Sequence, residues 1–435
     1  MEETLAFVMA GGQGERLRPL TDVRAKPAVP FGGIFRIIDI TLSNCVNSGV
    51  RRIYVLTQYK SYSLSNHLKT GWNILSRRFD QFIDEVPAQQ QLGGSWYRGT
   101  ADAIRQNMNF VEQKQPRYVL ILSGDHIYKM DYRLLRSYHN DKGAGLTVAC
   151  VRVPSHEAKE NLGVMEVDSD GRIIGFEEKP KEPRTIPGTT DCLASMGIYL
   201  FDADFLRMSL DNDLPDFGKD IIPLLIQHGM AVYAYDFTSR NKFPEWEYIT
   251  REGVRKKELA PVASDCDYWR DVGTLEQYWQ ANLDLVQPAP RFNVYAERFA
   301  LFSAPHHFPP AKFVHDIPGQ TGSAVNSIVA DGVIVSGATV RNSVLGCGIY
   351  LHIHALVESS VLFGGSLRGG IITETDIGRY CRVRNAIIDK NVRLSDNTSI
   401  GYDRAEDERR GLRTVPIADG SDHIVVVPKD FVIGD

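Results

Sequence analysis

Near its start the chain runs from the apolar segment Leu5–Ala10 into GGQGERLRPLTDVRAKPAVP, where glycines are followed by Arg16, Arg18, Arg24 and Lys26. Gly11, Gly12 and Gly14 permit positive φ and close backbone approach, so successive N–H groups can point at one anion. Phosphate binding is the chemistry this suggests. A Walker A loop is excluded, because it needs four residues between its glycines and then Gly-Lys-Ser/Thr. The dinucleotide fingerprint fails as well, since Leu17 stands where a third small residue belongs. A hydride-transfer cofactor is therefore not expected. The bland alternative is a glycine turn with solvated arginines.

Further groups with chemical potential lie beyond that loop. Asp125 follows the apolar run YVLIL, and Asp271 lies in DYWRDVGTLEQYW. Carboxylates so placed suit Mg²⁺, which takes one or two protein carboxylates together with phosphate oxygens. The competing reading makes Asp125 the cap of a turn and Asp271 the cap of the helix expected near Thr274. Glu178-Lys179-Pro180 closes the run RIIGFEE, which places an ammonium as a point charge for a phosphate monoester. The segment from Trp96 to Ala103, with Tyr97, Gly99 and Thr100, joins a glycine-rich loop to a helix start and suits a base, a sugar or a phosphate. Gly163 and Ser195 are expected at strand ends, where a small residue lets a hexose approach. No GxSxG elbow or HExxH pair occurs.

The elements that must position these groups alternate. Strand-like runs at 51–57, 117–125, 145–153 and 195–202 are separated by helical patterns such as TADAIRQNMNFVEQ. This predicts an α/β domain with a mostly parallel mixed sheet, with ligands outside the carboxyl ends of the strands. The stretch 288–313 is proline-rich and reads as a linker between a domain at 1–287 and another at 314–435. In the second domain short β-branched pieces begin at Asn326, Asn342, Ser359 and Asn385, first at intervals of 16 and 17 residues and then about half a coil longer. Such a period predicts a short left-handed parallel β-helix. An antiparallel sandwich is the competing fold, but hairpin signals such as Asn-Gly are missing. The tail GYDRAEDERRGLRTVP is expected to leave the repeat as a charged, mobile segment.

Composition bounds the partners. At 435 residues the chain is long enough for two domains. Its net charge of −5 argues against nucleic acid or an anionic membrane as the main partner. Six scattered cysteines without a CxxC pair read as reduced buried thiols. No signal peptide and no membrane-spanning run is evident, which points to the cytoplasm.

Taken in order, GGQGERLRPLT, RAKPAV, YRGTADA, SGDHIY, GVMEV, EEKP, ASMGIY and YWRDVGT closely resemble the bacterial glucose-1-phosphate adenylyltransferases, a branch of the sugar-nucleotide pyrophosphorylases. The resemblance covers nearly the whole chain. It implies a Rossmann-like nucleotidyltransferase domain followed by a left-handed β-helix, and the reaction of ATP with glucose 1-phosphate to give ADP-glucose and pyrophosphate for glycogen synthesis. It places Tyr97, Gly163, Glu178, Lys179 and Ser195 around glucose 1-phosphate. Gly11, Gly12, Gly14, Arg16, Lys26, Gln90, Gly99 and Thr100 would serve ATP. Asp125 and Asp271 would hold Mg²⁺, with Arg16, Lys26 and Asp125 as the catalytic set. Relatives are commonly homotetramers controlled by phosphorylated metabolites, which makes Arg24, Arg36, Arg409, Arg410 and Arg413 candidate effector contacts. Val23 stands where some relatives carry an activator-binding lysine, so the effector is left open. Two rivals remain: a pyrophosphorylase using UTP or dTTP, and a catalytically silent regulatory subunit.

Overall fold

The computed structural model describes residues 1–89, 96–251, 253–305, 308–368, 371–417, 420 and 422–433. By internal contacts the chain forms two units. Unit 1 is Met1–Gly12, Ile38–Trp269 and Tyr295–Phe302; unit 2 is Gln13–Ile37, Arg270–Val294 and Ser303–Asp435.

Unit 1 is built on a nine-stranded sheet. Its strands are β1 (Thr4–Met9), β2 (Arg52–Thr57), β3 (Phe82–Pro87), β4 (Tyr118–Ser123), β5 (Leu146–Pro154), β6 (Gly163–Val167), β7 (Ile173–Glu178), β8 (Asp191–Asp202) and β9 (Val232–Asp236). The order β7-β6-β8-β4-β1-β2-β3 is completed by β5, which pairs with β8 and β9. β3, β2, β1 and β4 run parallel to one another, while β8 is antiparallel to β4, β5 and β6. β1 and β4 are apolar along their length because they are central and covered on both faces. Leu5, Phe7, Val119, Ile121, Leu146, Val148 and Phe201 form part of the resulting core. TADAIRQNMNFVEQ folds as two helices, Thr100–Arg105 and Met108–Lys114.

Unit 2 carries the predicted coils. Three sheets are stacked from short strands, one from Lys312–Val314 to Val432–Ile433, a second from Ser323–Val325 to Ser399–Ile400, and a third from Ile328–Val329 to His423–Val427. Successive strands within each stack are parallel, as in a left-handed parallel β-helix. The residues that open each repeat turn its corners: Asn326, Asn342, Ser359 and Asn385 have φ of 47°, 47°, 46° and 47°. Asparagine tolerates that left-handed region because its short side chain bonds locally. The serines that follow form a ladder. Ser343 N donates to Ser327 Oγ, Ser360 N to Ser343 Oγ, and Ala386 N to Ser360 Oγ, each at 3.1 Å. The longer last interval holds an antiparallel hairpin, Ser366–Arg368 with Ile371–Thr373.

The tail corrects an expectation. It forms a helix, Arg404–Arg409, and a strand, Arg413–Pro416, antiparallel to His423–Val427. Asp403 caps the helix by accepting from Ala405 N and Glu406 N. Asp407 is buried and accepts from Gly401 N at 2.9 Å, so the charged run is fastened to the last coil.

Candidate active site

In unit 1 the expected residues sit at the ends and irregularities of strands. Just past β1, a Cβ on Gly11 would lie 3.1 Å from the Gln58 Cβ, whereas nothing lies within 4 Å of one on Gly12. Asp125 comes two residues after β4 and is 30% exposed. It accepts from Ser123 Oγ, and His126 Nε2 is 3.6 Å away. Trp269 meets the His126 ring edge-on at 5.3 Å.

A second group surrounds Glu178, the last residue of β7. Gly163 lies opposite it in the register of β6 and β7. A Cβ on Gly163 would stand 2.7 Å from Glu178 Oε2, and one on Gly218 2.8 Å from the same atom. Two glycines thus make the space that the carboxylate occupies. Burial raises the pKa of Glu178, Lys179 opposes that, and Asp216 adds to it. Lys179 is exposed and takes φ of 52°, a strained conformation for a residue with a Cβ. Ser195 lies inside β8 rather than at a strand end, where the register to β5 shifts between Ser195 and Ile198. A bulge there re-aims the side chain.

The third group is the segment after Trp96. Tyr97 accepts from Asn107 Nδ2 at 2.9 Å, and burial raises its pKa. A Cβ on Gly99 would stand 2.4 Å from the Pro215 carbonyl oxygen, which accepts from the N–H groups of both Ala101 and Asp102. Thr100 Oγ1 donates to Asp216 at 3.2 Å and accepts from Phe217 N at 3.1 Å. Gly99 and Thr100 therefore join this helix to the turn at 215–221. Gln90 falls outside the described residues.

In unit 2, Gly14 has φ of 63°, and a Cβ there would meet Thr21 at 3.0 Å and Lys26 at 3.1 Å. Lys26 Nζ is 3.3 Å from Asp271 Oδ1. A Cβ on Gly273 would lie 2.7 Å from both Arg16 Nη2 and Asp271 Oδ2, so Arg16, Lys26 and Asp271 share one neighbourhood. Asp271 does not cap the helix Leu275–Asp284. Thr274 does so, in a capping box with Gln277.

The remaining arginines of unit 2 divide by partner. Arg24 is buried and bidentate to Asp389, at 2.9 and 3.0 Å. Burial, then Arg36 and Arg24, push the neighbouring Lys390 down to about 8, against the pull of Asp389. Arg410 donates to Ser399 O at 2.7 Å, Arg409 pairs with Glu406, and Arg413 donates to Arg18 O at 2.6 Å.

Comparison with known proteins decides the family. The nucleotidyl transferase model matches residues 5–287, and a GlmU-like C-terminal hexapeptide model matches 309–417. Glucose-1-phosphate adenylyltransferase 2 of Vibrio cholerae is 45% identical over 94% of this chain and 95% of its own. The glucose-1-phosphate adenylyltransferase of Shewanella sp. strain ANA-3 is 44% identical over 94% and 92%, and one from Pseudoalteromonas atlantica 43% over the same shares. The chain belongs to the glucose-1-phosphate adenylyltransferases.

As a member of that family the chain is a nucleotidyltransferase, an enzyme class that generally uses a divalent metal. Asp125 in unit 1 and Asp271 in unit 2 each offer carboxylate oxygens, which are the hard donors a divalent cation takes. Among the described residues no group of three or more His, Cys, Asp or Glu makes an all-protein metal cage. Among the described residues no helix is long and apolar enough to cross a membrane.

The sequence motifs missed Asp216, Gly218 and Lys390. Asp216 caps the turn at Phe217–Ile221 through Gly218 N and Lys219 N, and it shares Thr100 with the Tyr97 segment. Its only sequence signal is a carboxylate before Phe-Gly-Lys-Asp, which is no more than an ordinary cap.

Proposed function

We propose that the protein transfers the adenylyl group of ATP to α-D-glucose 1-phosphate, giving ADP-glucose and pyrophosphate. The observation that carries the reading is the Glu178–Lys179 pair, a half-buried carboxylate admitted by two glycines with an exposed ammonium beside it. That pairing suits one ligand carrying hydroxyls at one end and a phosphate at the other. The family relatives are named for this reaction.

In this mechanism Lys179 holds the sugar phosphate, and Glu178 accepts from sugar hydroxyls beside Tyr97, Gly163 and Ser195. A phosphate oxygen attacks the α-phosphorus of ATP in line with the departing pyrophosphate. It needs no general base, because the phosphate is ionised near neutral pH. The protein's task is to bring two anions together and neutralise them. Gly11, Gly12 and Gly14 offer backbone donors to the triphosphate, and Arg16 and Lys26 draw charge onto the leaving group. Gln90, Gly99 and Thr100 are assigned to ATP on the family resemblance alone. Asp125 and Asp271 each serve as a carboxylate ligand for Mg²⁺. When bound, that ion polarises and neutralises phosphate oxygens.

The product is read as the glucosyl donor for glycogen in the cytoplasm, made by a homotetramer with a catalytic domain at 1–287, a linker at 288–313 and a β-helix domain at 314–435. Regulation by anionic phosphorylated metabolites is assigned to Arg24, Arg36, Arg409, Arg410 and Arg413. Lys390 is held down first by burial and then by Arg36 and Arg24, and a negative ligand beside these cations would relieve the second of those causes. The intact set Arg16, Lys26, Asp125, Lys179 and Asp271 speaks against a silent subunit. Pyrophosphate release with glucose 1-phosphate, measured across ATP, UTP and dTTP, tests the assignment. A preference for UTP or dTTP, or no turnover with any of the three, overturns it.

A further inference from the structure

One buried charged pair in unit 1 lies outside the residues assigned to substrate. Lys129 Nζ lies 2.6 Å from Asp265 Oδ2, and both side chains are 1% exposed. Removing two charges from water costs several kcal/mol per ion, and well-packed apolar residues in their place are often as stable or more so. Stability alone is therefore a poor reason for the pair.

Its position suggests another reason. Lys129 lies four residues after Asp125, and Asp265 four residues before Trp269. The two segments are fastened at three levels. At one end His126, next to Asp125, meets Trp269 edge-on. Near Lys129 the fully buried Asn241 donates to Lys129 O at 2.8 Å and to Cys266 O at 2.6 Å, and it accepts from Asp131 N at 3.1 Å. At the other end is the ion pair. A point-charge pair and a three-bond amide each accept one register only.

We propose that the Lys129–Asp265 pair is a positioning device that fixes the register of the Asp125–His126 segment against Trp269, and so aims the Asp125 carboxylate at its metal ion. This rests on the reading of Asp125 as a metal ligand. The pair touches neither ion nor substrate, so its loss should be felt as misdirected coordination with the fold intact.

The test replaces both charges by apolar groups, Lys129→Met with Asp265→Leu, in the full-length protein. Three readouts are taken: thermal midpoint, Mn²⁺ binding from the free-Mn²⁺ electron paramagnetic resonance signal in the presence of a non-hydrolysable ATP analogue, and steady-state kinetics. The expected result is a midpoint at or above that of the parent, Mn²⁺ affinity down about tenfold as for loss of a group supporting a ligand, and kcat lowered with KM for glucose 1-phosphate within about twofold. Parental Mn²⁺ affinity together with parental kcat overturns the proposal. If the apolar pair does not fold, Lys129→Gln with Asp265→Asn takes its place under the same criteria. Asp125→Asn separates the two levels: if that variant binds Mn²⁺ as the parent does, the metal reading fails and the positioning role falls with it. Lost affinity in Asp125→Asn with parental affinity in the double variant overturns the positioning role alone.

Discussion

The surroundings of Glu178 in unit 1 and of Asp389 in unit 2 are both charged and partly buried, yet they are made in opposite ways. Glu178 closes a strand, glycines at 163 and 218 make the room its half-buried carboxylate fills, and the proposed mechanism gives that carboxylate to the sugar. Asp389 is fully buried and bound to Arg24 across 365 residues of sequence, so its charge is already spent on a protein partner. One carboxylate is arranged to be used, the other to close a structure. The difference teaches that burial and charge alone do not mark a functional carboxylate. What separates these two is that only Asp389 is held by a buried, bidentate guanidinium.

The sharpest way to break the contrast is Arg24→Ala. It leaves Asp389 buried without its bidentate partner, and the expected loss is about 3–5 kcal/mol of unfolding free energy in a denaturant titration. A loss under about 1 kcal/mol would put Asp389 in the same class as Glu178. Asp125→Asn should do the reverse, with kcat falling by about 10²–10³-fold as when one transition-state electrostatic contact is removed, while the thermal midpoint stays near that of the parent. Turnover near the parental rate would remove Asp125 from the chemistry. Lys179→Gln should raise KM for glucose 1-phosphate by about 10–100-fold, as loss of a hydrogen bond to a charged group does, with KM for ATP nearly unchanged. Equal changes for both substrates would contradict its place on the sugar phosphate.

A pH slope supplies the last test. Burial, then Arg36 and Arg24, push Lys390 down to about 8 from its ordinary 10.5. Between those values the unfolded chain binds more protons than the folded one, so this group makes stability rise with pH across that window. Anionic effectors should bind less well over the same range as the ammonium loses its proton. Lys390→Met should flatten both trends, and slopes unchanged from the parent would exclude Lys390 as their source.

Much of unit 1 was legible because its chemistry lies where local pattern changes. Asp125 follows an apolar run, and Glu178-Lys179-Pro180 ends another. The β-helix was legible because its β-branched pieces recur at intervals of 16 and 17 residues, and the left-handed corners at Asn326, Asn342, Ser359 and Asn385 follow that spacing. What sequence could not supply were contacts made by closure. Asp216 meets the Tyr97 segment only because both reach the Pro215 turn. Ser195 was expected at a strand end because the extra residues of a bulge leave no mark in an apolar pattern. The tail was expected to be mobile because its charges look solvated, and the burial of Asp407 depends on the last coil being present.

The Arg24–Asp389 bridge also sets a timetable. During synthesis the loop Gln13–Ile37 leaves the ribosome early, but the carboxylate that binds Arg24 is 365 residues behind it. At roughly 5–20 residues per second, Arg24 waits about 20–70 s for its partner. Arg413, which holds Arg18 through its carbonyl, is later still. A segment born among the first therefore acquires its final anchors among the last, and a chain truncated before Asp389 would carry that loop unfinished.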